Sequence, residues 1–229
     1  MAEAIALRRG WNFPARRAAN AAAWDVILPT AMATDEASII QAVLDGEVDR
    51  YAELVDRYQE PARRLAFSLL GHYEDARDVS QDAFVNAYRA LRGFRRGAKF
   101  STWLYRIVVN VCADYGRRRA RQPLVVATVG DPELAGDDEA GLFIVDVADA
   151  GANPGEQLAQ RQLSVRLTRA IEALPLKQRT AFVLHHVHGC SLEETADVMR
   201  CRAGTIKSHI FRATAQLREQ LAPWLKQEG

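Results

Sequence analysis

Apolar residues recur every three to four positions along most of this chain and almost nowhere alternate, a pattern that predicts helices and no sheet. Tyr51, Leu54, Val55, Tyr58, Ala62, Leu65 and Leu69 fall at helical spacing, so residues 47 to 70 read as one amphipathic helix, interrupted by Pro61 and stopped at Gly71. A shorter helix is expected over 35 to 44, opened by Thr34-Asp-Glu-Ala37 and closed by Gly46. Ala76, Val79, Ala83, Ala87 and Leu91 carry the pattern over 74 to 92. Leu104, Ile107, Val108, Val111 and Tyr115 repeat it from Thr102 to Arg119.

Helical spacing then lapses. Leu124 to Val129 and Phe143 to Val147 are short apolar runs bounded by turn residues and read as linker. Beyond Pro154 the pattern returns over 156 to 173, over 175 to 188 after Leu174-Pro175, over 192 to 199, and over 204 to 221. The fold class is therefore all-α, with two helical domains joined by a flexible linker. An N-terminal extension, expected to be disordered, covers 1 to 33; the first domain covers 34 to 121, the linker 122 to 155 and the second domain 156 to 229. The extension is rich in Ala and Arg without a clear apolar stripe; Glu3 and Asp25 argue against a transit peptide, and the working chain is expected to begin near Met32.

Charge sharpens this division. The formal net charge is only +1, but the charges are segregated. Residues 94 to 121 carry eight Lys or Arg against Asp114 alone, and residues 199 to 226 carry six against Glu219 alone. Between them, residues 130 to 157 hold eight Asp or Glu and no Lys or Arg. Two basic modules tethered by a polyanion point to a nucleic-acid partner.

The C-terminal module carries the more specific pattern. Ser191-Leu-Glu-Glu194 is a capping box, which starts a helix at a defined residue. Leu192, Thr195, Ala196 and Met199 share its inner face. After a turn at Arg200 to Ala203, a second helix buries Ile206, Ile210, Ala213, Leu217 and Leu221, and presents Gly204, Ser208, Phe211, Arg212 and Ala215 outward with Lys207 on the flank. A helical hairpin with merely solvated charges is the plain alternative. The cap, the small residue, the short turn and the basic second helix together favour a DNA-reading helix-turn-helix.

In the first module, the loop around Phe94, Arg95, Arg96 and Lys99 precedes a helix bearing Trp103, Arg106, Asn110, Asp114 and Arg117 on one stripe, beside its core stripe. Aromatics to stack bases and cations to hold phosphates suit an opened strand. Stacking contributes ~1 to 3 kcal/mol per base, enough to hold one or two flipped bases and too little to melt a long bubble. Phe100 and Trp103 serve equally well as core. Asp114 repels phosphate unless Arg117 or Arg118, one turn on, neutralises it.

Nothing in the sequence supports catalysis: no phosphate-binding glycine loop, zinc-peptidase pair, nucleophile elbow or paired metal-ligand spacing occurs, so no catalytic residue, cofactor or metal is expected. His185, His186 and His188 lie at a helix end before Gly189, where imidazolium suits the helix dipole better than a metal would. Cys112, Cys190 and Cys201 form no CxxC pair and suggest reduced thiols in a cytoplasmic protein. No apolar run approaches the roughly 18 residues that span a bilayer, so no membrane contact is expected. Three functions compete: a promoter-specificity subunit, an autonomous helix-turn-helix repressor or activator, and a base-flipping enzyme. The last lacks a catalytic constellation.

With Leu54-Val-Asp-Arg-Tyr58, Asp75-Ala-Arg-Asp-Val-Ser-Gln-Asp-Ala-Phe84, Phe100-Ser-Thr-Trp-Leu-Tyr-Arg-Ile107, Asn110, Leu174-Pro175, Gly204-Thr-Ile-Lys-Ser208 and Phe211-Arg-Ala213 in this order, residues 36 to 225 resemble an RNA polymerase sigma factor of the extracytoplasmic-function type. The resemblance implies promoter recognition, promoter melting and transcription initiation at a specific, stress-related gene set. By it, Phe94, Arg95, Arg96, Lys99, Trp103, Arg106, Asn110 and Arg117 meet the minus-ten element, and Asn110 with the loop captures a flipped base. Thr205, Lys207, Ser208, Phe211 and Arg212 read the minus-thirty-five element. Asp75, Asp78, Gln81, Asp82 and Asn86 dock on the polymerase core. Its implied partners are the β′ clamp and β flap of that core and promoter DNA, double- and single-stranded, with an anti-sigma factor as a further candidate. The acidic linker resembles the family's connector, which threads a basic channel toward the active-site cleft. Thr214 stands where the family usually has Arg, and Arg202 where Pro is common.

Overall fold

The computed structural model describes the backbone of residues 30–95, 99–121 and 164–225, and of these the side chains of 35–95, 99–121 and 164–222. Every regular element among the described residues is a helix, and none is a strand. Four helices form the first module: α1 (Thr30–Leu44), α2 (Tyr51–Leu70), α3 (Tyr73–Ala90) and α4 (Phe100–Arg121). The second holds α5 (164–172), α6 (Leu176–Phe182), α7 (Leu192–Met199) and α8 (Ala203–Leu225).

Their ends follow from local chemistry. Gly71 takes the left-handed conformation (φ 74°) that ends α2, with its N–H donating to the Phe67 carbonyl at 2.8 Å. The His72 ring accepts from the Asp75 N–H and starts α3, whose first turn carries Glu74 and Asp75 where the dipole favours acids. Pro175 enters α6 with φ −54°. That helix widens into a π turn over Val183–Val187, where the His188 N–H reaches back five residues to the Val183 carbonyl at 2.9 Å.

Two boundaries differ from the sequence reading. Residues 30–33, expected to be disordered, are helical, because α1 begins at Thr30. Asp35 and Glu36 do not open the helix; they hold it on α2, where the Arg57 guanidinium meets Asp35 at 2.7 Å and Glu36 at 3.5 Å and the Tyr58 hydroxyl donates to Glu36. The helix expected from 47 opens instead with a 3-10 turn, Val48–Arg50. Residues 1–29, the linker 122–155 and the expected helical start 156–163 lie outside the described residues.

One apolar core runs unbroken from Ile39 on α1, through Phe67, Phe84 and Leu104, to Ile171, Leu184, Leu217 and Leu221 of the second module. The modules therefore pack on each other, chiefly through α4 and α7, with α6 and the π turn against α2. This explains burial beyond the helical stripe: Leu65 to Leu69 are buried on every side of α2, and Thr102, Tyr105 and Cys112 are buried on α4.

Candidate nucleic-acid interface

α4 carries the basic residues of the first module. Its core stripe behaves as expected: Leu104, Val108 and Val111 are buried and Ile107 and Tyr115 half-buried. On the neighbouring stripe Asn110 is exposed, and Arg117 pairs with Asp114 one turn back, the neutralisation anticipated from spacing. Three aromatics gather at its start. Phe100 is only 1 % exposed, so it is core and cannot serve as a base platform. Phe94 and Trp103 are half-buried against it, with ring centroids at 5.8 and 5.5 Å from Phe100 and 5.3 Å from each other. The expected exposed aromatic loop is thus a ring cluster whose outer surface alone faces solvent, since the rings gain more from edge contacts with one another. Arg95 and Lys99 are exposed; Arg96 lies outside the described residues.

Arg106 is placed differently from the sequence reading. Its Nε and a terminal nitrogen donate to the Asp197 carbonyl at 3.0 and 2.7 Å, so it caps the C-terminal turn of α7 in the other module. Lys99 is likewise engaged, its Nζ 2.8 Å from Oε1 of Glu194. Both cations are spoken for by the second module, whose carbonyl and carboxylate offer the charge a phosphate would. Arg179 makes the reverse contact. It donates to the Leu69 carbonyl at 2.7 Å, at the end of α2, and to the carbonyls of Glu172 and Leu174. Burial pushes its pKa down despite nearby Glu172. Each module therefore sends one arginine to cap a helix of the other.

Tyr105 lies at the centre of this junction. Its ring meets His188 edge-on at 5.5 Å, and burial, Cys190 and Glu194 all raise its pKa. His188 is buried, and among the described residues neither ring nitrogen has a hydrogen-bond partner. Burial, then the nearby Arg64 charge, lowers its pKa to about 4. His186 falls to about 4 through burial and the neighbouring His185, while His185 Nδ1 contacts the Cys190 carbonyl at 2.8 Å. Imidazolium at a helix end, the sequence expectation, thus gives way at His186 and His188 to imidazoles that burial keeps neutral. No group of three or more His, Cys, Asp or Glu among the described residues is arranged to hold a metal.

The helix-turn-helix follows its sequence closely. Ser191 Oγ accepts from the Glu194 N–H at 3.0 Å, and the Ser191 N–H donates to Glu194 Oε2 at 2.8 Å. Burial raises the Glu194 pKa, but Lys99 and the Ser191 N–H outweigh it and leave the carboxyl below its usual range. Thr195 and Ala196 are buried as expected, and Val198, which the spacing did not single out, is buried too, in the core shared by the two modules. Arg200, at φ 51°, ends α7 in the left-handed region that glycine usually supplies. On α8, Ile206, Ala213, Leu217 and Leu221 face inward. Gly204, Thr205, Lys207, Ser208, Phe211 and Arg212 are exposed together, Phe211 by 75 %. Thr214, which stands where the resembled family usually has Arg, is half-buried and donates back to the Ile210 carbonyl at 2.9 Å.

On α3, Asp78, Gln81, Asp82 and Asn86 are exposed on one side. Asp75 does not join them. Its carboxylate is held by Arg119 of α4 at 2.6 Å, which turns a contact expected with a partner into an internal one. Beside this face, Val55, Phe84, Val85 and Tyr88 line a groove of about 810 Å³ between α2 and α3. No described helix is long and apolar enough to cross a membrane.

Two family descriptions match the chain in order: "Sigma-70 region 2" over residues 54–122 and "Sigma-70, region 4" over residues 164–217. The ECF RNA polymerase sigma factor SigW of Bacillus subtilis is 35 % identical over 182 residues, 80 % of this chain and 94 % of its own length. The ECF RNA polymerase sigma-E factor of Escherichia coli K12 is 34 % identical over 191 residues, 82 % of this chain and 95 % of its own. Among solved structures, the sigma factor RpoE of Bartonella quintana in complex with the anti-sigma factor NepR matches with a TM-score of 0.53 at 27 % identity, over 74 % of this chain and 97 % of that one. CnrH in complex with the cytosolic domain of CnrY shares the fold, with a TM-score of 0.55 at 22 % identity, over 81 % of this chain and 96 % of that one. With both regions matched in order and relatives of this identity covered almost end to end, the chain belongs to the ECF sigma factors of RNA polymerase.

Proposed function

We propose that this chain acts in the cytoplasm as a non-catalytic specificity subunit, which joins core RNA polymerase and directs it to the promoters of one stress-related gene set. The observation that carries this reading is the exposed face of α8, where Thr205, Lys207, Ser208, Phe211 and Arg212 stand clear of the core on a capped helix-turn-helix. In this reading that face enters the major groove of the minus-thirty-five element. Asn110, Trp103, Phe94, Arg95, Arg96, Lys99, Arg106 and Arg117 hold the opened minus-ten strand once the second module has moved away from Lys99 and Arg106. Asp78, Gln81, Asp82 and Asn86, with the groove beside them, face the β′ clamp; Asp75 supports that face through Arg119. The β flap takes the second module, and an anti-sigma factor is a natural partner for a chain whose relatives are crystallised with one.

The test is transcription of genomic DNA in vitro by core polymerase with and without the chain, the products being sequenced. Initiation at a defined set of starts only when both are present is expected. Tight sequence-specific binding of duplex promoter by the chain alone, with no effect on initiation, would establish an autonomous repressor instead.

A further inference from the structure

We propose that residues 16–28, which lead into α1, dock in the groove between α2 and α3, with Trp24 and Val26-Ile-Leu28 against its apolar wall and Arg16 and Arg17 against its acids. Docked there, the segment competes with core polymerase, a consequence that rests on the reading of the adjoining α3 face as the one polymerase meets.

The groove offers what an apolar segment needs. Three of the five large apolar side chains exposed among the described residues, Val48, Val85 and Tyr88, stand together along it, and covering them removes apolar surface from water. Its floor is fixed: the Tyr51 hydroxyl donates to the Phe84 carbonyl at 2.8 Å, and the Tyr51 ring meets Tyr88 edge-on at 5.1 Å. Charge narrows the choice of occupant. The cations that line the groove are engaged by neighbours, Arg63 by Glu60 and the Tyr73 hydroxyl, Arg77 by Glu74. The lining acids Asp49 and Asp56 are exposed and have no cation partner among the described residues. An occupant that joins apolar side chains to arginines therefore complements it. The chain carries one: residues 1–29 hold Arg8, Arg9, Arg16 and Arg17 against Glu3 and Asp25 alone, and Trp24, Val26, Ile27 and Leu28 come just before α1.

Reach agrees. α1 lies on the flank of α2 that bears Arg57 and Tyr58, and the groove lies on the flank that bears Asp56, Gln59 and Arg63. Passing half-way round a helix 10–12 Å across takes about 17 Å, which roughly five or six extended residues cover. Trp24 stands that far ahead of Thr30, where α1 begins. It is the first aromatic to arrive, and Arg16 and Arg17 follow toward Asp49 and Asp56. Gln81 belongs both to the groove lining and to the acidic face of α3, so a filled groove and a polymerase-bound α3 exclude each other.

An arginine-specific protease reads the docking in the full chain. Cleavage at Arg16 and Arg17, followed by mass spectrometry, should be slower by on the order of tenfold or more than in a synthetic peptide of residues 1–29. Val85→Lys, at an exposed position, and Trp24→Ala should each restore the peptide's rate, and Trp11→Ala should behave as wild type. A wild-type rate equal to the peptide's would overturn the inference, as would protection that Val85→Lys leaves intact. Protection that fades on dilution would overturn it too, because the groove would then be filled by a second copy. Should Val85→Lys unfold, which cleavage inside α2 would reveal, Trp24→Ala decides. Core polymerase, once bound, should raise the wild-type rate to the peptide's. Protection that survives polymerase binding would overturn the competition and count against the reading of the α3 face, with the docking itself left standing.

Discussion

Arg106 and Asp197 lie 91 residues apart, and the guanidinium of the first donates two hydrogen bonds to the carbonyl of the second, at 3.0 and 2.7 Å. A side chain expected to meet DNA thus completes a protein helix. The exchange is chemically natural, because a helix C-terminus carries about half a negative charge. It also makes the junction sensitive to anything that competes for the guanidinium, a nucleic-acid backbone included.

Arg179→Met should show how far the opposite cap supports the fold. The substitution keeps an apolar stem but strips the carbonyls of Leu69, Glu172 and Leu174 of their charged donor. A loss of about 2 to 3 kcal/mol in urea unfolding is expected; a loss within the error of the extrapolation would show that water replaces the donor without penalty.

Ser191→Ala and Glu194→Gln separate the two duties of the capping box. Loss of the serine hydroxyl should cost about 1 kcal/mol. Glutamine can still accept from the Ser191 N–H while losing the charge that meets Lys99, and since Lys99 is largely exposed the change should stay under about 1 kcal/mol. A larger effect for Glu194→Gln than for Ser191→Ala would reverse this ranking.

Acid should destabilise the closed chain through its buried imidazoles. His186 and His188 titrate near 4 when folded, against 6.5 in an exposed chain. The unfolded state binds protons first as pH falls. Their contribution is therefore complete above about 6.5 and lost on the way down to about 4, on the order of 3 kcal/mol for each. Beside His188 stand the Arg64 charge, which opposes protonation, and the Tyr105 ring. Replacing His188 by Phe should flatten the pH dependence of urea unfolding between 4 and 6.5; an unaltered slope would remove His188 from the account.

Asn110→Ala should depress open-complex formation, read by permanganate footprinting, and leave core binding intact, because Asn110 is exposed on the side of α4 away from its buried stripe. Arg212→Ala should weaken upstream promoter protection by ~1 to 3 kcal/mol if it reads a base. Loss of core binding in the first variant, or unchanged protection in the second, would contradict the assigned roles.

Gly71→Ala tests the end of α2 where it meets Glu172. It imposes a left-handed conformation on a residue with a Cβ and drives that atom toward Glu172. A loss of about 1 to 2 kcal/mol is expected, and no loss would mean that neither the left-handed backbone nor Glu172 resists the added Cβ.

The helices of each module were legible because each buries one face within its own module, which writes a period into the sequence. α7 was placed to the residue, since Ser191 and Glu194 make a local cap that needs no tertiary partner. The outward set on α8 was legible for the same reason. What escaped was everything the modules do to each other. Tyr105, Val198 and His188 sit off the local stripes, and their burial depends on a neighbour remote in sequence. Lys99 and Arg106 read as contacts to DNA, because no spacing rule foretells that Glu194 and Asp197 will face them. Phe100 was ambiguous between platform and core, and packing against Tyr58, Phe94 and Trp103 decided for core.

The widened turn at Val183–Val187 has a consequence for everything downstream. It accommodates one more residue than an α-helix would, and each helical residue turns the chain by about 100°. A single deletion within it would restore ordinary winding and leave His188, Cys190 and the start of α7 near their present face, whereas a deletion in the regular winding of α6 would swivel them by that angle. The surplus amino acid is thus taken up where it stands, and the trailing segment keeps its angular phasing.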